Sequence, residues 1–246
     1  MIKTLTNLRK QEKEKFVVPK GVQDVIPITA IYDDGIFQIG KDKMNDTKQR
    51  ILDVSLELFS QNGFSAVSIR DICRQVQIKE SSVYYYFKSK QAIFDELLCL
   101  FENKASDMMC QLDKALAEQT FSAEQNFYQT VCDTFFERYL MDTFCNKVMR
   151  LLLIEQFSNT TIQNVYERWM FTEPLSFQSR VFSVLMQVGV IQNADSEYLA
   201  VKYYAPIYFF AQRWLFSGAL SEERKSAFHK NAYQHIQRFF TEIGVA

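Results

Sequence analysis

The sequence predicts an all-α protein: a helix-turn-helix DNA-binding domain, then a helical effector-binding and dimerisation domain, behind an N-terminal extension with a possible β-hairpin. Three observations lead there. Only 7 Gly and 4 Pro occur in 246 residues, which favours long helices with short connections. Hydrophobic residues make up 48% and aromatic residues 15%, enough for a large aromatic core and too apolar for disorder. From Asp46 onward the apolar residues recur with a period near 3.6.

Residues 1–43 differ from the rest. Gly21, Gly35, Gly40, Pro19 and Pro27 cluster there, and VIPITAIYDDGIFQIG alternates around Asp34-Gly35, a β-hairpin signal. The first helix is expected to be capped by Asp46 or Thr47, to carry Ile51, Val54, Ser55, Leu58 and Phe59 on one stripe, and to end at Gly63. Ser68 precedes a two-turn helix with Ile69, Ile72, Cys73 and Val76 inward. Another short helix follows with Val83 and Phe87, and a fourth starts near Ser89 and runs through Phe101. Further helices are expected over 105–118, 122–141, 143–157, 160–171, 174–189, 195–217 and 221–242. Asp195 and Ser196 cap the sixth of these, Pro206 should kink it and Gly218 closes it. Ser221, with Glu222 and Glu223 in the first turn, opens the last.

The charge is unevenly spread. Residues 44–90 hold seven Lys/Arg against five Asp/Glu, whereas 91–246 hold 13 against 18, as in a polyanion-binding head on an acidic body. The five cysteines are odd in number and lack C-x-x-C spacing, and His229 and His235 are the only histidines. These features point to free buried thiols in a reducing cytosol, with no metal and no cofactor. No Gly-rich phosphate loop or catalytic constellation appears, so an enzyme is not expected. The N-terminus has no apolar signal region, and the longest uncharged run, 181–194, falls short of the ~18 residues of a membrane span. A soluble, cytoplasmic protein without a membrane partner follows.

IKESSVYYYFKSK, residues 78–90, carries the chemistry. Two short helices joined by a tight turn on a longer first helix form a helix-turn-helix. With Val83 and Phe87 inward, positions 80, 81, 84 and 85 face outward. Ser81 and Ser82 let the backbone approach a groove, Tyr85 is the most exposed tyrosine, and Tyr84 divides between packing and phosphate contact. Tyr86 packs partly on the first helix. Lys88 and Lys90 lie where phosphates would run, and Ser68 and Arg70 start the preceding helix near phosphate or base edges.

The run GFSAVSIRDICRQVQIKESSVYYYFKSKQAIFDELL resembles the N-terminal DNA-binding domain of TetR-family transcriptional repressors, most closely over residues 46–92. The resemblance implies DNA-facing roles for Ser68, Arg70, Glu80, Ser81, Ser82, Tyr84, Tyr85 and Lys90. It also implies a divergent C-terminal domain that binds a small-molecule effector and dimerises through its last two helices. The sequence departs from the family pattern at Gln77, Glu80, Ser81 and Tyr86, which leaves the operator sequence open. KFVVPKGVQDVIPITAIYDDGIFQIGKDK, residues 15–43, is similar instead to the N-terminal end of conjugation ATPases of type IV secretion machines, without a nucleotide-binding motif. The expected division is 1–43 as a fused remnant or mis-assigned start, 44–92 as DNA-binding domain and 93–246 as effector and dimerisation domain.

For the dimer, Tyr203, Ile207, Phe210 and Trp214 form one stripe and Phe228, Ala232, His235, Ile236, Phe239 and Ile243 another. Paired in two copies they would build a four-helix bundle, unless one stripe merely closes the monomer core. For the effector, Phe135, Arg138, Tyr139, Arg150, Tyr166 and Trp169 are candidate lining residues, aromatics with embedded polar anchors. The expected function is a homodimeric repressor that binds a double-stranded DNA operator and is released by an effector. The competing readings are a helical enzyme or carrier, or an accessory protein of a conjugation apparatus.

Overall fold

The computed structural model describes residues 38–118, 132–158 and 160–244, with side chains from Asp46 onward. The chain divides into two units, Met1–Asp46 and Thr47–Ala246. Of the first, only the opening turns of a helix are described. The expected β-hairpin therefore lies outside the described residues, except that its last three, 38–40, are helical.

Every described element is helical. The helices are α1 (Gln38–Asn62), α2 (Ile69–Val76), α3 (Glu80–Tyr86), α4 (Lys90–Glu118), α5 (Thr143–Glu155), α6 (Thr160–Glu167), α7 (Glu173–Gln187), α8 (Ser196–Ala211) and α9 (Glu222–Glu242). Three π-helical turns interrupt the pattern, at Phe136–Leu140, Arg168–Thr172 and Gln212–Phe216. Two expectations change. The first helix does not start at a cap on Asp46 or Thr47; it is already helical at Gln38. The fourth helix and 105–118 are a single 29-residue helix, about 43 Å long at 1.5 Å per residue.

The helix ends follow local chemistry. Gly63, at φ +83, ends α1, and its N–H donates to Phe59 O at 2.9 Å. Ser68 and Asp71 form a reciprocal capping box at the start of α2. Asp142 caps α5, Asp195 caps α8 and Ser221 caps α9. Helix α8 continues through Pro206, since one missing N–H removes a single bond from the ladder.

The π turns are where the second domain spends its buried polar groups. A π turn shifts backbone bonding to i→i+5 and leaves carbonyls to be satisfied elsewhere. Asn146, fully buried on α5, donates through Nδ2 to Leu140 O at 3.2 Å and to Leu215 O at 3.1 Å, so one amide joins the first and third π turns. Tyr139 OH donates to Trp169 O at 3.0 Å and Tyr204 OH to Met170 O at 2.8 Å, which serves the second. Burial pushes both phenols well above the usual tyrosine range, so they remain donors at any physiological pH.

Candidate nucleic-acid interface

Helices α1 to α3 build a helix-turn-helix. Helix α3 is seven residues long and is held from beneath by Val83 and Phe87, both buried. Truncating Phe87 to Ala would cost on the order of 3–5 kcal/mol. Ile72, Cys73 and Val76 bury the inner face of α2. The turn is closed by Gln77 in the left-handed region (φ 63, ψ 45), with Ile78 N–H donating to Cys73 O at 3.1 Å. Arg50 on α1 donates to Val76 O at 2.9 Å and fixes the end of α2.

The outer face of α3 carries Glu80, Ser81, Tyr84 and Tyr85. Tyr84 is 51% exposed and Tyr85 71%, large values for aromatic rings. Tyr85 stands edge-on to the half-buried Tyr86 at 5.1 Å. Ser82 is half-buried, and its N–H donates to Lys79 O at 2.9 Å. Arg70, exposed at the start of α2, pairs with Glu80 at 3.0 Å. Lys79 and Lys88 flank α3 and are exposed, and sequence reasoning did not place Lys79 at the interface.

Two expected contacts need correction. Lys90 does not point outward: its ammonium donates to Phe64 O at 2.7 Å and Val67 O at 2.6 Å and lies 4.2 Å from the Phe64 ring centroid. Burial pushes it below the usual lysine range, opposed by the nearby Glu155 carboxylate. It holds the α1–α2 loop, where the carbonyls satisfy its charge. Ser68 is exposed, but its hydroxyl donates to Asp71 Oδ2 at 2.6 Å and is committed to the cap.

In the second domain a tight cavity of about 20 Å³, roughly the space of one water, is lined by Met109, Leu112, Cys132, Phe135, Phe136, Pro174, Phe177, Gln178, Tyr203, Tyr204 and Ile207. Of the six expected effector residues only Phe135 lines it. Arg138 is exposed and donates to Gln111 at 2.8 Å, and Arg150 donates to Gly218 O at 3.0 Å. Tyr139 is tied to Trp169 O, Trp169 Nε1 donates to Glu102 at 3.2 Å, and Tyr166 meets the Tyr208 hydroxyl. The charged and hydroxyl-bearing side chains named above satisfy backbone and one another, and the cavity wall is mostly apolar, with Gln178 and the two tyrosines as its polar members. Burial pushes the Cys132 thiol up to about 11, so it stays protonated there, 3.3 Å from the Tyr203 hydroxyl.

The stripes expected at a dimer interface are also reassigned. Tyr203, Ile207, Phe228, Ala232, Ile236 and Phe239 are buried within the protomer, where α8, α9 and α7 pack; Phe182 meets Tyr203 and Phe239 at 5.8 and 5.5 Å. His235 is half-buried against Tyr203 O at 2.8 Å, and Phe210 and Trp214 are half-buried. The apolar residues that α8 leaves outside are Tyr198, Val201 and Phe209, 65%, 50% and 57% exposed.

Among the described residues, then, the architecture is a helix-turn-helix head on an all-helical body. Residues 51–97 match the family described as bacterial regulatory proteins, tetR family. The HTH-type transcriptional regulator AcrR of Shigella flexneri is 35% identical over 68 residues, 28% of this chain and 32% of that protein. The biofilm operon icaADBC HTH-type negative transcriptional regulator IcaR of Staphylococcus aureus is 31% identical over 91 residues, 32% of this chain and 49% of that protein. The matches thus span less than half the length of either relative. A TetR-family regulator structure from Mesorhizobium loti superposes with TM-score 0.58 at 18% identity, covering 81% of this chain and 97% of that one. The family match thus covers the helix-turn-helix residues 51–97, and over the rest of the chain the likeness is one of fold.

Proposed function

We propose that this protein is a homodimeric transcriptional repressor, not an enzyme, that binds a double-stranded DNA operator in the cytoplasm and is released by a small-molecule effector. The observation that carries the reading is the outer face of α3: two tyrosines more than half exposed beside Ser81, on a helix fixed from beneath by Val83 and Phe87. Exposed aromatic and hydroxyl groups on a short, rigid helix suit contact with thymine methyls, sugars and phosphates in a major groove. IcaR, a negative regulator by name, supports repression. Exposed Tyr198, Val201 and Phe209 on α8 supply the dimer contact, which brings two α3 helices to successive half-sites. The effector would enter the aromatic cavity beside Phe135 and Tyr204, parting its walls and altering the spacing of the two heads. Residues 44–246 suffice for these activities. No described helix is long and apolar enough to cross a membrane.

The test is a gel shift on DNA flanking the protein's own gene at increasing salt. Specific binding that weakens steeply with salt supports the reading, and its absence overturns it. Tyr85→Ala should weaken the shift while the oligomeric state stays the same.

A further inference from the structure

Arg70 opens α2 and Glu80 opens α3, so the turn brings together two charged side chains ten residues apart. Arg70 Nε donates to Glu80 Oε1 at 3.0 Å. Both side chains stay open to solvent, 80% and 46% exposed. An ion pair so exposed adds little to stability. Its placement is the informative feature, since it spans the two helices of the reading head. The bond takes Nε and Oε1, so the two terminal guanidinium nitrogens and the second carboxylate oxygen are the atoms that can face a ligand.

We propose that Arg70 and Glu80 act as one donor–acceptor unit that reads a single G·C base pair in the major groove; this rests on the DNA-binding reading above. Guanine presents two adjacent acceptors, N7 and O6, which match the guanidinium fork. The paired cytosine presents an N4 amino donor beside them, which matches a carboxylate held next to that fork. An A·T pair fits poorly, because the adenine amino group separates its two acceptors and would face the guanidinium. The carboxylate has a second effect. It neutralises Arg70 in the free protein and so lowers sequence-independent attraction to phosphates. Glu80 is therefore a specificity-determining residue rather than a source of affinity.

The test is selection from a library of random-sequence duplexes by wild type, Arg70→Ala and Glu80→Ala, with circular dichroism to confirm that each folds. Wild type should enrich a motif with a G·C pair at one position of each half-site. Both variants should lose the preference at that same position, by about fivefold or more. Glu80→Ala should also bind unselected duplexes more tightly than wild type. If the variants relax different positions, or leave every position unchanged, the two side chains do not act as a unit. A wild type that enriches no motif at all would overturn the DNA-binding reading, and this proposal with it.

Discussion

Glu155, in the last turn of α5, accepts the backbone N–H of Phe64 at 2.8 Å, linking residues 91 positions apart in the chain. Its other oxygen accepts from Ser158 Oγ at 2.7 Å. Phe64 belongs to the loop between α1 and α2, and Lys90 grips the same loop by two carbonyls. The loop beneath the reading head is thus held by one residue from the body and one from the start of α4. Replacing Glu155 by Ala should leave the Phe64 N–H unsatisfied and cost about 1–3 kcal/mol in urea denaturation. Glu155→Gln, which keeps an acceptor, should cost less than half of that. An Ala protein as stable as wild type would show that water replaces the carboxylate.

Lys90 and Lys88 should separate in a salt titration of operator binding. Lys88 is exposed beside α3, and Lys88→Ala should flatten the slope of log K against log salt by about 0.9 for each phosphate that the lysine neutralises. Lys90→Met keeps the stem and removes the carbonyl bonds. It should lower stability by about 1–3 kcal/mol and leave the salt slope unchanged. A flattened slope for Lys90→Met would return that residue to the phosphate role that the sequence suggested.

Gln77 holds a left-handed backbone, the only described non-glycine residue to do so. That conformation costs an L-residue about 1–2 kcal/mol, while glycine gives back part of the gain through unfolded-state entropy. Gln77→Gly should therefore raise stability by up to about 1 kcal/mol, read as a higher Tm. A lower Tm would mean that the exposed glutamine side chain contributes more than the strain removes.

Asp142 caps α5 and pairs with Lys104 at 2.7 Å. Burial raises its carboxyl, but the Cys145 N–H and the Lys104 ammonium outweigh it and hold the group below the usual aspartate range. A depressed carboxyl stabilises the fold fully above its unfolded value, near 4, and the contribution fades as pH falls through the lower folded value. The Tm gap between wild type and Asp142→Asn should be constant above about pH 5 and narrow below about pH 4. A gap that does not change down to pH 3 would rule out this linkage.

Val201 tests the dimer. In the proposed dimer Val201→Glu places a charge among Tyr198, Phe209 and their symmetry mates and should yield folded monomers in sedimentation velocity. Ile236→Ala, in the protomer core, should instead lower stability by about 2–5 kcal/mol and leave the dimer intact. A dimeric Val201→Glu protein would place the interface on another face.

The helix-turn-helix was legible because its signals are local. A serine cap, an i, i+3, i+4 stripe and two anchor residues under a short helix each follow from nearest neighbours, and Ile72, Val76, Val83 and Phe87 lie where the pattern put them. What failed needed three dimensions. Periodicity marks which side of a helix is buried and is silent on what buries it, so the Tyr203 and Phe239 stripes read as a dimer seam and are the protomer's own core. A lysine after an aromatic helix reads as a phosphate contact until its ammonium is seen to turn inward on Phe64 O and Val67 O. Arg138 and Arg150 resembled pocket anchors because sequence does not show that their partners are Gln111 and Gly218.

The π turn at Arg168–Thr172 joins α6 to α7 without a break, so residues 160–187 wind as one rod. Each residue advances a helix by about 100°, and the wide turn therefore sets the angular phase between the rod's two halves. Ahead of it Tyr166 meets Tyr208, and beyond it Phe177 lines the cavity. Deleting a single residue within 168–172 would let an ordinary α-helix form with Phe177 close to its present angle, because the wide turn absorbs one extra residue; what would be lost are the freed carbonyls of Trp169 and Met170 that Tyr139 and Tyr204 reach. Descendants of this gene that keep Tyr139 and Tyr204 should keep the wide turn that frees those two carbonyls.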